Sequence, residues 1–153
     1  MRAQAVRRPV AQRATDGPTG RDQQDAVIAQ ALAILSARAL TSGQFMKDPP
    51  IAGQFFRLRL GEERREHFEV AFLDNQHRLI AVERLFSGSA DGAEVHPRVV
   101  VQRALALNAV AVMLAHNHPS GNPEPSPADR SLTTRLREAL GLVDIRVLDH
   151  FVV

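Results

Sequence analysis

The chain has 153 residues, 44% hydrophobic and 24% charged, which suits one globular domain and excludes a wholly disordered or collagen-like chain. It contains no cysteine, so disulfides, thiolate nucleophiles, iron–sulfur clusters and thiolate zinc sites are all excluded, including those of the nucleobase deaminases. The net charge of +2 is unevenly spread: residues 1–21 hold five Arg against Asp16 alone, a net of +4, and the remainder holds 14 basic and 16 acidic residues, a net of −2. A slightly acidic body is poorly suited to gripping a phosphate backbone. The longest strictly apolar run is seven residues, 109–115, against the ~18 of a membrane span. With no apolar signal-peptide core at the start, the chain reads as a soluble cytoplasmic protein without membrane contact.

Residues 1–21 mix Arg, Gln, Thr, Pro and Gly without apolar periodicity, the pattern of a flexible arm. From Asp22 a helical stripe of Ile28, Ala31, Leu32, Leu35, Ala39 and Leu40 predicts a packing helix. Asp48-Pro49-Pro50 breaks the chain, and residues 51–60 predict a second amphipathic helix ending at Gly61, so residues 22–60 form a helical N-terminal segment. Residues 66–73 and 78–86 are β-rich runs around the polar Asp74-Asn75-Gln76-His77, the pattern of a hairpin. Residues 87–92 read as loop. Pro97 opens a predicted helix through Asn108, residues 109–118 a buried strand, 126–140 a helix and 144–153 a final strand. This order describes one α/β domain over 61–153, with helices packed on a mixed sheet.

The chemistry concentrates in residues 116–129. Residues two apart in a strand share a face, so His116 and His118 present their imidazoles together at the end of an apolar strand. A Pro- and Gly-rich loop follows, and Asp129 falls in the first turn of the next helix, where its carboxylate can return to the same point. Two imidazoles and a carboxylate form a catalytic-type zinc set with a fourth position for water. Ser126, Pro127 and Asp129 equally suit a capped helix start, so a capping role for Ser126 and Asp129 stays open beside the metal role.

His116-Asn117-His118-Pro119-Ser120-Gly121, followed by Pro125-Ser126-Pro127-Ala128-Asp129, resembles the RadC family of the JAMM (MPN) metallopeptidase superfamily, with a metal motif His-x-His and then Ser-x-x-Asp. Glu66-His67-Phe68, Leu73-Asp74-Asn75, His96-Pro97-Arg98 and residues 146–150 extend the likeness over roughly 58–153. The resemblance implies a mixed sheet layered with helices as in the cytidine deaminases, and a zinc-dependent peptidase or isopeptidase. It implies Zn2+ on His116, His118 and Asp129, Ser126 steadying the tetrahedral intermediate and Glu66 as catalytic acid and base, acting on a peptide or protein substrate that the sequence does not identify. Glu62, Glu63 and Glu69 compete with Glu66, but strand alternation sets Glu66 and Glu69 on opposite faces, so only one of those two can reach the metal. Asp149 and His150 read either as support for a ligand imidazole or as an ordinary strand-end pair.

The likeness has departures. Longer RadC proteins carry an N-terminal helix-hairpin-helix, and no Gly-rich hairpin of that kind precedes residue 50; Val99 stands where relatives carry an acid. Relatives continue past the last strand with a Gly and one more short strand, so the chain ending at Val153 is expected to lack that strand. The alternative function is a protein of DNA repair or mobile elements that acts by DNA or partner binding without catalysis, with weak DNA contact through the Arg-rich arm.

Overall fold

The computed structural model describes residues 20–41, 48–88 and 94–153. Residues 1–19 of the arm expected over 1–21 and most of the loop expected over 87–92 lie outside them. The described residues form eight elements in chain order: α1 Gly20–Thr41, α2 Pro49–Leu60, β1 His67–Leu73, β2 Leu79–Ser87, α3 Pro97–Ala106, β3 Ala111–His116, α4 Pro127–Gly141 and β4 Arg146–Val152. The strands form one mixed sheet in the order β2-β1-β3-β4, antiparallel except for the parallel pair β3 and β4. The expected α/β class and the hairpin over 66–86 are therefore present.

The two central strands, β1 and β3, are buried along their whole length, as strands covered on both faces must be. Alternation then divides the core in two. Ala71, Leu73, Ala111, Met113 and Ala115 face α1 and α2, where Ala52, Phe55, Phe56 and Leu60 pack. Phe68, Val70, Phe72, Val112 and Leu114 face the other way, onto Val100 and Ala104 of α3 and Leu136 and Leu140 of α4. The parity of a residue in β1 or β3 thus decides which layer it enters.

The ends of the elements correct the expectations in detail. Helix α1 begins at Gly20, not Asp22, so Arg21 lies in its first turn and reaches Glu62 at 3.4 Å. Helix α2 begins at Pro49 rather than Ile51: the prolines initiate it, because a first-turn residue needs no N–H donor and a φ near −65° is already helical. Helices α3 and α4 stop at residues in left-handed conformation, Asn108 (φ 50°) and Asp144 (φ 59°). In each, the next amide turns back to a last-turn carbonyl, Ala109 to Ala104 and Ile145 to Leu140. Asn108 therefore closes α3 instead of extending it, and releases the chain directly into β3.

Candidate metal centre

Strand β3 ends at His116, and the site is built around that end. His116 has the parity of Leu114 and stands on the α4 side, 2% exposed, its ring stacked at 18° and 6.4 Å on Phe68 of β1. His118 follows on the same side, its backbone held by His118 N donating to Val153 O at 2.9 Å. After the turn at Gly121, whose φ of 73° suits glycine, the chain enters α4 through Ser126.

Ser126 and Asp129 do form a reciprocal capping box: Asp129 N donates to Ser126 Oγ at 3.1 Å and Ser126 N donates to Asp129 Oδ2 at 2.7 Å. The same carboxylate faces both imidazoles, Oδ1 at 3.2 Å from His116 Nε2 and Oδ2 at 3.3 Å from His118 Nε2. Capping and ligand roles therefore do not exclude each other, because one carboxylate has lone pairs for both. Burial opposes ionisation of Asp129, but the Ser126 hydroxyl and amide together with the two imidazoles outweigh it and hold the carboxyl below its ordinary range.

The hydrogen-bond pattern fixes which ring nitrogens carry protons. His118 Nδ1 lies 2.7 Å from Asn122 O, a carbonyl that can only accept, so Nδ1 bears a proton and Nε2 is the ring nitrogen that turns toward the triad. Thr133 Oγ1 donates its single hydrogen to Asp129 O at 2.7 Å, so its contact with His150 Nδ1 at 2.6 Å must be donated by His150. Burial, chiefly, holds His150 neutral by pushing its pKa down to about 3, so its Nε2 accepts from His116 Nδ1 at 2.9 Å. That leaves His116 Nε2 as the ring nitrogen that faces the triad. Burial also lowers the His116 pKa, with Asp129 opposing.

Two imidazole nitrogens 2.9 Å apart with a carboxylate 3.2–3.3 Å away from them require a cation or a shared proton between them. The three ligand atoms lie within 4.8 Å of one another. Their edges approach the ~3.3 Å separation that tetrahedral zinc imposes on ligands at ~2.0–2.1 Å, so the donor set fits such an ion.

The cavity over this triangle has a volume of about 510 Å3 and is bordered by Glu66, Phe68, Val95, Ser126, Leu132 and Arg135 as well as the triad. Of the four glutamates between residues 62 and 69, Glu66 alone borders it. Glu62 pairs with Arg21, Glu63 with Arg84 at 2.7 Å, and Glu69, fully buried, with Arg59 at 2.6 Å and Arg84 at 3.3 Å on the other side of the sheet. The register of β1 on β3, Phe68 opposite His116, brings Glu66 into line with His118 when continued by two residues.

The strand-end pair divides. His150 supports the ligand His116, whereas Asp149 Oδ1 accepts from the adjacent backbone, His150 N, at 2.8 Å. A register shift between β3 and β4 after Val112 gives this outcome by bringing His150 beside Leu114, on the site's face. Two further residues escaped sequence reasoning. Thr133, one helical turn after Asp129, carries the signal of i,i+4 spacing, and Asn117 lies between the two histidines.

A mixed sheet between helical layers, with a His-x-His pair leaving a central strand and an aspartate in the first turn of the following helix, defines a JAB (MPN) type of domain. The family profile of the RadC-like JAB domain matches residues 46–153, and the chain belongs to the RadC family. Among its relatives, the UPF0758 protein of Xanthomonas oryzae pv. oryzae (strain PXO99A) is 59% identical over 115 residues, 75% of this chain and 51% of that protein. The UPF0758 protein of Xylella fastidiosa (strain 9a5c) is 58% identical over 117 residues, 76% of this chain and 52% of that protein. The chain thus spans about half the length of these curated relatives. Among the described residues, no helix is long and apolar enough to cross a membrane.

Proposed function

We propose that the protein is a zinc-dependent peptidase or isopeptidase, with His116, His118 and Asp129 as zinc ligands, Glu66 as proton shuttle and Ser126 as a donor to the oxyanion. The observation that carries this reading is the convergence of two imidazole Nε2 atoms and one carboxylate on a single point beneath an open cavity. A bound zinc ion would polarise the scissile carbonyl and lower the pKa of water toward ~7. Glu66 borders the same cavity without an ion pair among the described residues, so its carboxylate is available as a base. It takes the proton from the attacking water as the C–O bond forms, then gives it to the leaving nitrogen as the C–N bond breaks. The Ser126 hydroxyl lines the cavity beside Asp129 and can turn its hydrogen from that carboxylate to the developing oxyanion, a contribution of ~3–4 kcal/mol per donor.

Equilibrium dialysis of zinc against the protein and Asp129→Ala tests the ligand set. One zinc per chain is expected, weakened by several kcal/mol in the variant through loss of an anionic ligand; undiminished affinity would return Asp129 to capping alone. The second reading, DNA or partner binding without catalysis, rests on the net +4 of residues 1–21. Deleting that arm removes DNA retention under this reading and leaves zinc-dependent hydrolysis intact under the first.

A further inference from the structure

Between the ligand histidines, Asn117 points to the opposite side of β3 and is 2% exposed. Its carboxamide is fully engaged with one short piece of chain. Oδ1 accepts from His67 N at 2.9 Å, and Nδ2 donates to Arg65 O at 2.9 Å and to Glu63 O at 3.3 Å. Two carbonyls and one amide admit only one orientation of the side-chain amide, so the contact is specific in direction as well as in place. The residues it holds flank Glu66 on both sides. The carbonyl of Glu66 is itself tied to the end of β2, with Gly88 N donating to Glu66 O at 2.9 Å.

We propose that Asn117 is a positioning residue for Glu66: from the middle of the His-Asn-His run it clamps the backbone around Glu66 to the end of β3, where two of the metal ligands sit. The inference rests on the reading of Glu66 as proton shuttle. Apart from the Gly88 bond to the Glu66 carbonyl, residues 63–66 have no strand pairing, so the clamp is what ties this segment to the side of the histidine ligands. A single buried amide therefore links the histidine ligands to a base more than 50 residues earlier in the chain. The contact survives no conservative exchange: aspartate keeps the acceptor for His67 N but sets an anion against two carbonyl oxygens, and alanine removes all three bonds.

The test uses Asn117→Ala, with Asn117→Ser as the milder variant should alanine fold poorly. Co2+ in place of zinc reports position directly, through paramagnetic relaxation of the Glu66 side-chain carbons. Relaxation is expected to weaken in both variants while Co2+ affinity stays within about threefold of the parent, because the ligands are untouched. In hydrolysis, kcat is expected to fall roughly 10- to 100-fold, the scale of a misplaced reacting group. It should fall no further when Asn117→Ala is added to Glu66→Gln. An unchanged Glu66 relaxation overturns the proposal, as does a loss of Co2+ affinity matching the loss of kcat, or an additive effect in the double variant. Absence of hydrolysis in the parent protein would defeat the reading of the site, whereas the cobalt measurement would still decide whether Asn117 sets the place of Glu66.

Discussion

Two polar clusters flank β1 and β3, one on each face of the sheet. On the α2 side, Glu69 is fully buried but surrounded by donors, the guanidinium groups of Arg59 and Arg84, with Glu63 sharing the second. On the α4 side, Nε2 of His116, Nε2 of His118 and the Asp129 carboxylate face one another. The first cluster balances its charge internally and is complete as a piece of architecture. In the second, three ligand-type groups converge on one point, where a cation or a shared proton has to lie between them. Burial and charge alone do not separate the two; the kind of atoms at the point of convergence does.

The comparison breaks most sharply at two glutamates three residues apart, Glu66 just before β1 and Glu69 within it. Glu66→Gln removes a base and no ion pair, so hydrolysis should fall by ~10² to 10⁴ while zinc binding and unfolding stability stay unchanged. Glu69→Gln should do the reverse, retaining zinc binding and most activity but losing about 2 kcal/mol in chemical denaturation, since Arg59 and Arg84 keep only part of their solvation. Activity lost in Glu69→Gln and kept in Glu66→Gln would mean that the register of β1 is displaced by an odd number of residues.

A smaller effect sharpens the comparison by way of proton uptake. In metal-free protein His150 is held neutral with a pKa near 3, while an unfolded chain protonates it near ~6.5. The unfolded state therefore binds more protons between these values, and stability should fall as pH drops from about 6.5 toward 3, by up to ~1.4 kcal/mol per pH unit for this one group. Below the folded value the loss should level off. Denaturation of His150→Phe across the same range should show a shallower slope; an equal slope would place the proton uptake elsewhere. The smallest change is Thr133→Val, which removes the hydroxyl that orients His150. Zinc affinity should drop about 10-fold by competition against a chelator, the lower end for supporting groups at metal sites.

How much of this was legible in the sequence depended on distance along the chain. The ligand set was readable because His116, His118 and Asp129 lie within one strand, loop and helix start, where spacing carries geometry. The hairpin was readable from its turn, in which the Asp74 carboxylate takes the amides of Gln76 and Arg78. The separate faces of Glu66 and Glu69 followed from alternation. The division of labour between Asp149 and His150 was not readable, because it depends on a register shift between two strands some 35 positions apart. Nor was the clamp of Asn117 on residues 63–67, since nothing local in a His-Asn-His run states what its middle residue meets. The choice between capping and ligation for Asp129 dissolved only when both sets of distances were known.

That shared carboxylate ties two properties together. Asp129 is held in one rotamer by the helix start, and Asn122 and His150 orient the two rings. The fold itself thus restricts the torsional freedom of all three side chains. Because the same aspartate caps α4 and faces both imidazoles, any substitution at this position reaches the helix start and the ligand set together.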